Sequence, residues 1–159
     1  LPICSFIMLH DMLRRILRNM DLSENEIDES IYDAMLLSVD VAHALHPNKK
    51  EKMDITNKPV MGKGFCIKQA CSQSYATDAQ AIAILCQLCD EKGIPYQRFV
   101  NRSDSRGGST LGSIAGTLLP VKTVDIGIPI LAMHSACELM GVRDMKALSD
   151  CVTAFFGYH

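Results

Sequence analysis

The apolar run Met35-Leu36-Leu37, continued by alternation through Val39 and Val41 and closed by Pro47-Asn48, constrains the fold more than any other stretch. It suits a short buried strand, and the proline then forces the backbone into a loop. Asp40, His43 and His46 therefore stand at or just past a strand end. In open α/β sheets ligands bind beside such ends, so a carboxylate there is a candidate metal ligand or base. The plainer alternative makes Asp40 a turn cap and the histidines loop residues.

Helical and strand-like patterns alternate along the rest of the chain. Asp11 to Met20 reads as an amphipathic helix, with Met12, Leu13, Ile16, Leu17 and Met20 on one face and Arg14, Arg15 and Arg18 solvated opposite. Ser23-Glu24-Asn25-Glu26 has capping-box spacing and opens a second helix. Lys49 to Pro59 reads as an exposed loop, and Val60 to Gln69 as a strand with Lys68 near its end. A lysine so placed is ordinarily a solubilising charge.

Thr77-Asp78-Ala79-Gln80 is a second capping box, opening a helix from Asp78 to Lys92 that Gly93 stops. Tyr96 to Asn101 makes a strand, and the turn from Arg102 through Arg106, Gly107 and Gly108 to Thr110 feeds a helix through Leu118. Such a turn either presents N–H groups to an anion or is simply tight and needs small residues. Val121 to Ile128 is a strand, Pro129 to Ser135 turns from it into a short helix stopped by Gly141, and Asp144 to Phe156 closes the chain as a helix with Met145, Leu148, Val152 and Phe155 inward. This order predicts a layered α/β fold, a mixed or mainly parallel sheet flanked by helices. With no internal repeat or linker, residues 1–159 read as a single unit.

With 48% apolar side chains there is material for a real core, and a net charge of -2 gives no electrostatic footprint for nucleic acid. No apolar run approaches the roughly 18 residues of a membrane span, and Leu1 to Leu9 lacks a basic leader or a small-residue cleavage site. The expectation is a soluble, cytoplasmic protein that binds neither nucleic acid nor membrane. Seven cysteines, an odd number standing mostly at helix-like positions, fit reduced thiols packed as small hydrophobes. Cys86-Gln87-Leu88-Cys89 matches C-x-x-C, yet it lies in a helix with no second pair at zinc spacing and reads as core.

Three spots beside strand ends remain: Asp40 with His43 and His46, Lys68 through Tyr75, and Gly107-Gly108 followed by Met133-His134-Ser135. Together they are the ingredients of a zinc hydrolase: carboxylate and imidazole ligands, a cation for substrate, and backbone donors for an oxyanion. Ser38-x-Asp40-x-Ala42-His43-Ala44-x-His46-Pro47-Asn48, Ile67-Lys68 with Tyr75-Ala76-Thr77, Asp104 with Gly108-Ser109-Thr110-x-Gly112, and Val124-Asp125-x-Gly127 leading to Met133-His134-Ser135-x-x-Glu138 occur in that order. From about Asp40 to Phe156 the set resembles the C-terminal part of the catalytic domain of aspartyl aminopeptidases, cocatalytic zinc peptidases that remove N-terminal, typically acidic, residues.

The resemblance implies two zinc ions in the complete enzyme, a peptide substrate and assembly into a homo-oligomer. Asp40 matches the aspartate on one zinc and His134 the histidine on the other. His43 matches a substrate-contacting histidine. Lys68 and Tyr75 match groups of the substrate pocket, where the ammonium, away from the ions, pairs with an acidic N-terminal side chain. His46 has a supporting role.

The departures from the family pattern bear on activity. The family's further histidine, bridging aspartate, and paired glutamates, one of them the general base, belong to motifs preceding Asp40, and Leu1 to Leu37 has no match for them. The expectation is a C-terminal portion, without the catalytic glutamate and unable alone to hold two zincs tightly. Cys137 stands where an arginine is usual, and Arg106-Gly107 is a subgroup variation. Two rivals remain: a non-catalytic assembly or binding module that retains the fold, and an anion-binding protein built on the Gly107-Gly108 turn.

Overall fold

The computed structural model describes residues 2–105 and 107–157; Arg106 lies outside them. Helices α1 (Pro2–Asn19) and α2 (Glu24–Asp33) precede strand β1 (Met35–His43). Strand β2 (Phe65–Gln69), helix α3 (Ala79–Lys92), strand β3 (Tyr96–Val100), helix α4 (Leu111–Leu118), strands β4 (Lys122–Leu131) and β5 (Leu139–Met140), and helix α5 (Val142–Phe156) follow. The sheet is mixed, in the order β1-β4-β2-β3, with β5 along the end of β4. β1 runs parallel to β4 and β2 parallel to β3, while β2 and β4 are antiparallel.

β4 is the central strand, and its run of buried residues from Thr123 to Ile130 reflects cover on both faces. On one face Ile67, Val124, Ile126, Ile128 and Ile130 pack against α3 and α5 through Ile82, Leu85, Ala147 and Leu148. On the other, α4 lies over β1 and β4, and α1 packs against α4. No helix is long and apolar enough to cross a membrane among the described residues.

Local chemistry sets most boundaries. The first capping box forms as its spacing predicts: the Ser23 N–H donates to Glu26 Oε2 at 2.8 Å, and the Ser23 side chain accepts from the Glu26 N–H. α3 starts one residue later than a Thr77 cap implies. Asp78 is the cap, accepting from the Ala81 N–H at 2.8 Å, because Thr77 Oγ1 is engaged with Ala70 and Tyr75. Gly93, left-handed at φ +65°, ends α3. Of the C-x-x-C pair, Cys89 is buried in the core, its sulfur 3.8 Å from that of Cys151 on α5, and Cys86 packs partly buried against the same core.

Four expectations are corrected. The strand expected from Val60 begins only at Phe65, since Gly62 and Gly64 take positive φ and Val60 to Gly64 turn. The short helix expected after Pro129 is absent: β4 continues to Leu131, Ala132 and His134 adopt left-handed conformations, and β5 returns antiparallel. Pro129 lies beyond Gly127, the last β4 residue with a β2 partner, so its missing N–H breaks no ladder bond there. On α1, Met12, Ile16 and Met20 lie outside, while Arg14 and Arg18 are tied down, Arg14 to Glu24 and Asp28 and Arg18 to Glu24. On α5 the inward set is Asp144, Ala147, Leu148 and Cys151, with Met145 exposed.

Candidate active site

The site is organised by a diagonal across the sheet. Asp40 of β1 sits opposite Gly127 of β4, which in turn sits opposite Cys66 of β2. Gly127 is required by close approach: a Cβ there would come 2.7 Å from the Val41 carbonyl carbon. Lys68, two pairs further along β2, reaches over this row, and its Nζ lies 3.3 Å from Asp40 Oδ2 and donates to the Val41 carbonyl at 3.0 Å. The lysine is 3% exposed while Asp40 keeps about half of its side chain open, at 49%. Burying an ammonium is costly unless it is paired, and here two oxygens and the face of Tyr75, 4.9 Å from Nζ to ring centroid, provide the compensation. Lys68 is therefore not an exposed solubilising charge but is seated on Asp40.

Tyr75 is itself fixed. Its hydroxyl accepts from Asn101 Nδ2 at 2.9 Å, and its ring leans on Phe99 at 6.1 Å. A cavity of about 510 Å³ opens in front of it, lined by His43, His46, Tyr75, Asn101, Gly107 and Gly108. A Cβ on Gly107 would press on the Asn101 carboxamide, which holds the Tyr75 hydroxyl. The glycine turn and the first two spots thus converge on one region.

His43 ends β1 beside Ile130, near the end of β4, and His134 lies in the turn that follows β4. Burial holds the His43 imidazole below the usual histidine range, and the charges of His134 and then Lys68 push it further down. His43 is thus neutral at pH 7. His134 has φ +67°, and its N–H donates to Glu138 Oε1 at 2.5 Å, which anchors the turn. His46 accepts the Asn48 N–H on Nδ1 at 3.1 Å, a local turn contact.

Asp40 and His134 are donors of the types zinc takes, an open carboxylate and an exposed imidazole. Among the described residues no three or more His, Cys, Asp or Glu side chains cluster to hold a metal. Two groups were given no role in the sequence reading: Asn101, which looked like a strand terminus, and Asp125, a lone acid within the apolar run Val124-Asp125-Ile126.

A mixed sheet between helical layers, with an acid and imidazoles near the ends of neighbouring parallel strands, defines an α/β domain with its polar groups gathered at one end of the sheet. The chain belongs to the aminopeptidase I zinc metalloprotease (M18) family, which matches residues 5–156. It is 47% identical over 137 residues to a probable M18 family aminopeptidase 2 of Clostridium novyi (strain NT), covering 86% of this chain and 32% of that protein. It also resembles a chain in the cryo-EM structure of the Ape4 and Nbr1 complex, with TM-score 0.88 and 34% identity over 93% of this chain and 28% of that one. The mApe1 dodecamer of S. cerevisiae matches with TM-score 0.69 and 27% identity over 78% of this chain and 27% of that one. The chain spans about a third of the length of the curated relatives it matches.

Proposed function

We propose that this chain is the C-terminal portion of the catalytic domain of a zinc-dependent aminopeptidase that removes N-terminal, acidic residues from peptides. The observation that carries the reading is the grouping of Asp40, Lys68, Tyr75 and His43 around one end of the β1–β4 pair. In this reading Asp40 holds one zinc ion and His134 the other, and the remaining ligands and the general-base glutamate come from outside the described residues. A bound pair of zinc ions supplies an acidified water and a polarised scissile carbonyl. The chain's own groups do the rest. Neutral His43 offers a hydrogen bond to substrate without repelling nearby cations. Lys68, buried between Asp40 and the Tyr75 ring behind the pocket, supplies the positive charge that attracts a substrate carboxylate. Tyr75 and Asn101 form the wall that shapes the entrance.

The dodecameric mApe1 relative supports assembly into a homo-oligomer, and the free thiols of Cys66, Cys89 and Cys151 support a reducing, cytoplasmic setting. A second reading, a non-catalytic assembly or binding module that keeps the fold, is favoured by the absence of a three-ligand cluster among the described residues. The purified full-length gene product, assayed on peptides beginning with aspartate or with alanine, separates the two. Chelator-sensitive release of the aspartate supports the enzyme. Neither turnover nor metal uptake supports the module.

A further inference from the structure

Asp125 is completely buried on the central strand, paired in register with Ser38 of β1 on one side and Lys68 of β2 on the other. Its Oδ2 accepts two hydrogen bonds from segments distant in sequence, from the Ala76 N–H at 2.5 Å and from the Thr110 hydroxyl at 2.6 Å. The same segments are stitched to each other and to β4: the Thr110 N–H donates to the Ser74 carbonyl at 3.2 Å, the Asp125 N–H to the Ala76 carbonyl at 3.4 Å, and Thr77 bridges Val124. Thr110 occupies the N-cap of α4 but makes no side-chain cap bond, since its hydroxyl is given to Asp125. Gly112, in the first turn of α4, fits tightly over the carboxylate: a Cβ there would lie 2.7 Å from Asp125 Oδ1. Oδ1 has no hydrogen-bond partner among the described residues. A half-satisfied buried carboxylate is expensive. An apolar residue would avoid that penalty but would hold neither segment.

We propose that Asp125 is a positioning residue for the pocket, one carboxylate oxygen clamping the Tyr75 segment and the end of the glycine turn together. It thereby sets the Tyr75 ring and the Gly107-Gly108 backbone relative to Lys68 and His43, while touching no substrate itself. This inference rests on the reading of Tyr75 as part of the substrate pocket.

The test compares Asp125→Ala, Asp125→Asn and Thr110→Val in the full chain. It reads amide hydrogen exchange together with the shifts that the dipeptide Asp-Ala induces at the Tyr75 ring by NMR. In Asp125→Ala the Ala76 and Thr110 amides exchange about tenfold faster or more, the scale set by a hydrogen bond to a charged group. The Ile126 amide keeps its protection, and the Asp-Ala affinity falls by a similar factor. Asp125→Asn, which keeps an acceptor oxygen, restores both, a recovery that a general loss of packing would not give. If Ile126 also loses protection because the alanine variant unfolds, Thr110→Val decides, with faster exchange over residues 107–110 expected and Ala76 still protected. Unchanged exchange at Ala76 and at residues 107–110 overturns the clamp. Failure of the wild-type chain to show any Asp-Ala effect at Tyr75 instead overturns the pocket reading, and the exchange data then still decide the clamp.

Discussion

The Lys68 ammonium stands 3.3 Å from Asp40 Oδ2, reaching it across the row that Gly127 leaves open. One carboxylate thus serves a resident cation and, in the proposed enzyme, a metal ion. The two charges compete for it. Replacing Lys68 with methionine is expected to raise the zinc affinity of the chain by about three- to tenfold, the lower figure reflecting solvent screening at half-exposed Asp40. Calorimetric zinc titration of the two proteins measures this, and equal affinities contradict it.

Gly127→Ala drives a methyl group into the β1 main chain rather than into a movable side chain. Strand separation cannot relax cheaply, so the variant should lose about 1–3 kcal/mol of stability or more. Urea unfolding gives the figure, and an unchanged midpoint would mean that the two strands are not so closely apposed.

Asp144 is buried at the start of α5 and accepts from the Gly62 N–H at 2.6 Å and the Gly64 N–H at 2.8 Å, fastening the turn before β2. Asp144→Ala leaves one buried and one partly buried N–H group without an acceptor and should cost about 2–3 kcal/mol. The same unfolding experiment checks it, and a loss below the ordinary surface scatter of about 0.5 kcal/mol would remove Asp144 from that role.

Glu24 receives Arg18 at 2.7 Å and Arg14 at 2.5 Å, and these bonds hold its carboxyl down to about 2 from its ordinary 4.5. A depressed folded-state value means that its stabilising contribution is present above pH 4.5 and is lost as pH falls toward about 2. A ¹³C NMR titration should therefore show the Glu24 carboxyl changing near pH 2. A midpoint at the ordinary glutamate value would show that the α1–α2 ion pairs do not persist in solution.

What could be read from the sequence was local. The Ser23 and Glu26 box, the Gly93 stop, and the run that β1 makes before His43 depend on neighbouring residues alone. Asp40, His43, Lys68 and Tyr75 were legible as site candidates because each combines a chemically special side chain with a strand or turn boundary. Their mutual placement was not legible. Lys68 meets Asp40 only because β2 runs antiparallel to β4 and Gly127 clears the path, both tertiary facts. The turn after Leu131 was misread as helix because positive φ at Ala132 and His134 is imposed by the β5 return rather than encouraged by those residue types. The exposed apolar side of α1 has the same origin, since the periodicity marks an amphipathic helix without saying which neighbour it packs on.

The central claim, that Asp40 and His134 face bound zinc, is tested most directly by titrating zinc into the isotopically labelled chain and following side-chain carboxyl and imidazole resonances. The account predicts that the Asp40 carboxyl and the His134 ring nitrogens shift first and together with His43, and that Asp40→Ala or His134→Ala removes the response at the altered position. Zinc-dependent shifts confined to other groups, such as exposed Cys71 and Cys137, with Asp40 and His134 unmoved, would contradict it.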